Sequence, residues 1–221
     1  MFGSKVKVIS HQQSNALTRE LAECSHLGFT PLNLIFLKKG PCGFFTELDA
    51  DDIMAARSEP SEISAFPYRG VDLTLALHAC DTASDDALAW AIKSESKVIL
   101  VAPCCHHDIQ SQIKRDGSKI PEPWSAVIRH GILRERVGDI VTDAIRAQVM
   151  RILGYETDVI EFIASEHTPR NLLIRGIFTG RAATPRDFEE LDSLIAQWHL
   201  KPHLVALLSE AIAAQRQKVL S

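Results

Sequence analysis

Through the middle of the chain, apolar residues come in short, nearly continuous runs separated by polar loops. Val71–Leu77 (VDLTLAL) and Val98–Ala102 (VILVA) have strand length, and runs that do not alternate belong to parallel strands covered on both faces. Between them, Leu88, Ala91 and Ile92 make an apolar helical stripe, preceded by the capping oxygens of Thr82 and Ser84 and the first-turn charges of Asp85 and Asp86. Strand, helix and strand form a βαβ unit with a right-handed crossover.

The same reading extends outward. Lys5–Ile9 is a short strand. Ser14 or Asn15 caps a helix bearing Leu17, Leu21 and Cys24, which Gly28 stops. Leu32–Leu37 is the next strand. From Lys38 to Pro67 the pattern is weak: Gly40, Pro41 and Gly43 predict a loop and Asp49–Arg57 a short helix. Ile109 and Ile113 mark a brief helix ended by Gly117, and Pro121 and Pro123 interrupt the chain. A long helix follows, with Val137, Ile140, Val141, Ala144, Ile145, Gln148 and Ile152 on one face and Gly154 closing it. Asp158–Ile163 and Asn171–Thr179 are strands whose link is too short for a crossover, so they pair antiparallel. Two tail helices start at Thr184-Pro185 and Pro202, one facing inward with Phe188, Leu191 and Ile195, the other with Leu204, Leu207, Leu208 and Ala211. The expected fold is α/β, a twisted, mostly parallel sheet ending in an antiparallel hairpin. Residues 1–180 form this domain, and residues 181–221 a helical tail packed on it.

Composition narrows the function. The 221 residues are 46% apolar, enough for a full core, and no apolar run approaches the ~20 residues of a membrane span. Met1 to Lys5 lacks the features of a signal peptide, so a cytoplasmic protein is expected. Five cysteines, two of them adjacent, are not a disulfide framework. A net charge of −4 gives no global footprint for nucleic acid.

Chemistry-bearing residues follow both central strands: His78-Ala79-Cys80-Asp81 after the first, and Pro103-Cys104-Cys105-His106-His107 after the second. Ligands of open parallel sheets bind beyond the carboxyl ends of strands, so these loops are the leading site. A tetrahedral metal set from His78, Cys80, one of Cys104 or Cys105 and one of His106 or His107 is conceivable in donor type, but the spacing matches no known pattern. No metal is expected.

LHACDTASDDALAWAI followed by VILVAPCCHH resembles a family of class I S-adenosylmethionine (SAM)-dependent methyltransferases with Leu-His-Ala-Cys-(Asp/Gly) and Pro-Cys-Cys loops. The likeness continues from Ile128 to Gly176 and includes Glu166-His167-Thr168. It implies a Rossmann-like sheet, SAM as cofactor and methyl transfer to an acceptor, with an RNA base favoured. On the cofactor side it points to Ser10, Leu77, His78 and Ala79. For catalysis it points to Cys80, Asp81, Cys104 and Cys105, with Asp81 the hydrogen-bonding or base residue. In RNA 5-methylcytosine methyltransferases, which this arrangement resembles, one thiolate adds to the pyrimidine ring and a second assists product release. Substrate contacts fall to His106, His130, Arg134, Glu135, His167, Arg170 and Asn171. Buried cysteines are also ordinary small apolar residues, so a purely packing role stands beside the catalytic one.

One departure matters. The family's first strand and Gly-rich loop are not found, so the domain reads as N-terminally truncated and SAM affinity is expected to be weak or absent. The alternative function is a non-catalytic, methyltransferase-like fragment that binds a partner. Since the missing strand lies centrally in that topology, Lys5–Ile9 is expected to move in beside Val71–Leu77.

Overall fold

The computed structural model describes residues 33–37, 42–46, 58–59, 72–77, 81–103, 105–115, 122–161 and 172–220, with backbone alone at 33–37, 42–46, 58–59 and 77. In chain order the strands are β1 (Asn33–Leu37), β2 (Cys42–Thr46), β3 (Ser58–Glu59), β4 (Leu73–Leu77), β5 (Val98–Ala102), β6 (Tyr155–Glu161) and β7 (Leu172–Phe178). The helices are α1 (Thr82–Lys93), α2 (His107–Arg115), α3 (Ser125–Ile128), α4 (Gly131–Ile152), α5 (Pro185–Gln197), α6 (His203–Leu207) and α7 (Ser209–Leu220).

The seven strands form one sheet in the order β3-β2-β1-β4-β5-β7-β6. β4 is parallel to both neighbours, β1 and β5, while β2 and β7 run against theirs. Five strands therefore point one way and two are reversed, and each reversed strand turns both of its pairings antiparallel. The hairpin of β6 and β7 is the expected antiparallel ending, in register from Tyr155↔Phe178 to Glu161↔Leu172.

Both edges of β4 are taken, one by β5 and the other by β1, which pairs Leu34 with Leu73 through Leu37 with Ala76. The strand beside β4 is thus Asn33–Leu37 and not Lys5–Ile9, and the pairing expected from the sequence is corrected. A slot next to a central strand is filled by whichever apolar, strand-forming segment can satisfy its backbone groups, and NLIFL does so. Lys5–Ile9 itself and the helix after it lie outside the described residues. Gly43, expected in a loop, lies inside β2, because the two phenylalanines that follow it suit a strand and β1 offers a free edge. The expected helix at Asp49–Arg57 lies outside the described residues.

The continuous apolar runs behave as parallel-strand runs should. Leu73, Leu75, Ile99, Leu100 and Val101 are fully buried. Ile99 and Val101 join the core beneath the helices, with Ile145, Val149 and Met150 of α4 and Leu88 and Ala91 of α1. At the amino edge, Lys97 Nζ sits 2.7 Å from Asp72 Oδ1, and Tyr155 Oη donates to the Ser96 carbonyl at 2.8 Å. Gly154, at φ 96°, ends α4 in the left-handed conformation that a side chain resists, and lets the chain turn directly into β6.

Helix α4 departs from its expected face. Ile140 is 68% exposed and Ala144 is exposed, whereas Thr142, Asp143 and Arg146 are buried. The helix is turned so that polar residues face inward, because the loops it covers supply their partners. The tail also differs: the second expected helix is divided at Leu208 into α6 and α7. Phe188, Leu191, Trp198, Leu204, Leu208 and Ile212 bury into the same core as α1 and α4.

Thr184 caps α5 in a capping box: its hydroxyl and backbone N–H both hydrogen-bond Asp187 Oδ2 at 2.8 Å. Burial pushes the Asp187 carboxyl up, but hydrogen bonds from Thr184 and the Arg181 guanidinium at 3.0 Å outweigh it and hold it below the ordinary range. A depressed carboxylate stabilises the fold above its unfolded value of about 4, and that contribution is lost as pH falls through the folded value. Urea unfolding of Asp187→Asn should therefore show a loss against wild type at pH 7 that narrows steadily below about pH 4, and Thr184→Ala should cost about 1 kcal/mol.

Candidate functional site

Where β1 and β4 lie side by side and parallel, the chain leaves β1 toward β2 on one side and β4 toward β5 on the other. In an open α/β sheet the carboxyl ends of two strands whose connections diverge are the usual ligand position. The loops after Leu77 and after Ala102 both emerge at this edge. Helix α4 begins at the same edge, since it must run back across the sheet to start β6, which points the same way as β5.

Asp81 joins the two loops. Its backbone sits at φ 57° and ψ −126°, a region that glycine enters freely and other residues enter at a cost of roughly 1–3 kcal/mol. Asp81 accepts the strain and supplies a carboxylate in return: its Oδ1 accepts a hydrogen bond from the Asp108 backbone N–H at 2.9 Å. A negative group thereby sits on the first turn of α2, where free N–H groups and the helix dipole favour it.

Behind the loops lies a buried charged layer. Arg146 of α4 is 1% exposed, and its guanidinium uses three separate nitrogens. Nε donates to Asp85 Oδ1 at 2.7 Å, Nη1 to Asp143 Oδ1 at 3.0 Å, and Nη2 to the Asp81 carbonyl at 2.9 Å. Burial works against the guanidinium, yet Asp85 and Asp143 facing it raise its pKa, so it stays charged. Burial also pushes the Asp85 carboxyl up, with Arg146 acting in the opposite direction.

His106 completes the layer from the second loop. It is 4% exposed, and its Nε2 lies 2.9 and 3.0 Å from the two oxygens of Asp143, so that nitrogen carries the donated proton. Its Nδ1 approaches Asp139 Oδ1 at 3.2 Å, off the line of a hydrogen bond. Asp139 Oδ1 also accepts from Gln110 Nε2 at 2.7 Å. That contact requires α2 to lie close against α4, which Gly138 allows: a Cβ there would meet Gln110 Cγ at 2.7 Å.

Of the residues singled out in the sequence, Asp81, Cys105 and His106 meet at this edge. Cys105 is a free, half-buried thiol. His106 turns into the protein toward α4. His130 and Glu135 are exposed and Arg134 half-buried at the start of α4, where Arg134 Nη1 reaches the Ile128 carbonyl at 3.4 Å. Ser10, His78, Ala79, Cys80, Cys104, His167, Arg170 and Asn171 lie outside the described residues, as does the Leu77 side chain. Among the described residues no group of three metal-binding side chains converges.

The sequence reading missed Asp143 and Arg146, and saw in Asp85 only a first-turn charge. Asp85 does lie in the first turn of α1, whose N-cap makes no side-chain hydrogen bond, and Asp86 pairs with His203 at 3.0 Å. The signal available was Asp143 and Arg146, three apart on a helix, between the buried Val141, Ile145 and Val149.

Residues 12–112 match a family model described as a methyltransferase domain. Nearly half of the chain is thus similar to a methyltransferase domain. The matched stretch takes in β1 to β5, both loops and most of α2, while α4, the β6–β7 hairpin and the tail lie beyond it. No curated protein and no solved structure matches the chain. The matched stretch therefore supplies both edge loops, and α4 supplies Asp143 and Arg146 of the charged layer behind them.

The Asp81 geometry gives a direct expectation. Asp81→Asn keeps an acceptor for the Asp108 N–H and should stay within about 0.5 kcal/mol of wild type. Asp81→Ala keeps the strain, loses the cap and should cost about 1–2 kcal/mol by urea unfolding.

Proposed function

We propose that the chain acts in SAM-dependent methyl transfer, with an RNA base as the favoured acceptor. The observation that carries this reading is the pairing of the domain match with two thiol-bearing loops that follow adjacent parallel strands at one edge of the sheet. SAM supplies a methyl group on a sulfonium, which any aligned nucleophile can take. Ser10 and the Leu77-His78-Ala79 stretch would hold it. The described neighbourhood suits that placement, since β4 ends beside β1 and its loop is anchored by Asp81.

In this reading Cys80, Cys104 and Cys105 flank the acceptor. A thiolate adding to a pyrimidine ring makes the neighbouring ring carbon nucleophilic, which is the reason for favouring an RNA base. Asp81, with one carboxylate oxygen held by Asp108, orients its loop and leaves its second oxygen for the acceptor. His130, Arg134 and Glu135, together with His167, Arg170 and Asn171, would contact the substrate. Because His106 is buried against Asp143, its part is to hold the second loop. The reduced thiols suit the cytoplasm, and no described helix is long and apolar enough to cross a membrane.

Titration calorimetry with SAM and with its demethylated product tests the proposal. Weak, saturable binding with a Kd of about 1 mM or below, near −4 kcal/mol, is the expected result. No heat at millimolar ligand would leave the non-catalytic reading for this chain.

A further inference from the structure

We propose that Arg146 is a positioning residue that couples the two edge loops, so that the loop after β4 and the loop after β5 hold their relation through one guanidinium. The inference rests on the methyltransferase reading for what the loops do, but the coupling itself is a property of the fold. Arg146 lies on α4, outside the stretch that matches the domain family, and all three of its contacts lead back to the loops. Nη2 holds the Asp81 carbonyl, and Nε holds Asp85 in the first turn of α1, directly after that loop. Nη1 holds Asp143, whose two oxygens in turn hold His106 in the second loop.

The two loops also touch each other, through Asp81 Oδ1 and the Asp108 N–H. The result is a closed ring: Arg146, Asp81, Asp108, then back through His106 and Asp143. Stability alone is a poor reason for such an arrangement. Buried ion pairs are often no better than apolar residues of similar volume, whereas a ring of directional contacts fixes geometry. Asp81 adds the second reason. Its left-handed backbone persists only where the surroundings hold it: the Arg146 guanidinium and the Ser84 N–H both donate to its carbonyl, at 2.9 and 3.1 Å, and α2 holds its carboxylate.

Arg146 does not touch Asp108. An effect of Arg146 on the Asp108 amide must therefore travel around the ring, through Asp81 on one side or through Asp143 and His106 on the other. The full chain carrying Arg146→Lys keeps the charge and loses the fork. Its amide hydrogen exchange should be faster than wild type at Asp108 by about tenfold, while the core amides of Ile99 and Val101 keep their rates. Combined with Asp81→Ala, which already frees that amide, Arg146→Lys should add little at Asp108. The isosteric Asp143→Asn, which leaves no cavity, serves as a second variant should the first fold poorly. It should speed exchange at Asp108 in the same direction and raise the alkylation rate of Cys105 by iodoacetamide.

Unchanged exchange at Asp108 in both variants, or equal acceleration there and in the core strands, would overturn the coupling. These readouts need no SAM, so a wild-type chain that binds no SAM would remove the methyltransferase reading and leave the coupling tested. If wild type binds SAM and Arg146→Lys loosens the loops without weakening that binding, the positioning role falls.

Discussion

A guanidinium in the protein interior has to be answered by carboxylates and carbonyls, and at Arg146 that requirement organises the region around it. Removing one member of such a buried set leaves an uncompensated charge, at a cost of roughly 3–5 kcal/mol. The set therefore holds or fails as a unit. It also explains why α4 presents Thr142, Asp143 and Arg146 inward and leaves Ile140 in water. A helix turned by its apolar positions alone would bury Ile140. The polar demand of two loops and of α1 outweighs that single side chain, worth about 1.5–3 kcal/mol.

The sheet imposes the other constraint. β4, parallel to both neighbours and buried on both faces, puts the carboxyl ends of β1, β4 and β5 at one edge. The divergence of connections falls at that edge. Everything beyond the family match then serves to close the back of that edge. α4 crosses behind the loops, the β6–β7 hairpin extends the sheet on the far side of β5, and the tail fills the helical layer through Phe188, Trp198 and Leu204. The Gln112 side chain of α2 accepts from the Lys201 backbone N–H at 2.8 Å and donates to the Lys201 carbonyl at 3.2 Å, so the tail is fastened to the helix that Asp81 caps.

The sequence by itself determined the elements whose burial is uniform. Val98–Ala102 is a strand at the limits its apolar run predicts, Gly154 ends the long helix, and the short link after β6 dictates an antiparallel hairpin. The same holds for the placement of the Asp81 and Cys105 loops, because continuous apolar runs joined by a crossover helix admit only one edge for the residues that follow them. Tertiary structure alone decided the partners of polar groups and of exchangeable strands. Nothing local says that Asp85 meets Arg146 sixty-one residues later, or that Asn33–Leu37 takes the edge of β4. A strand's free edge accepts any suitable backbone, and a carboxylate accepts any donor within reach. Periodicity records whether a side chain leaves water, but the choice of partner is made by contacts distant in sequence, which local pattern does not encode.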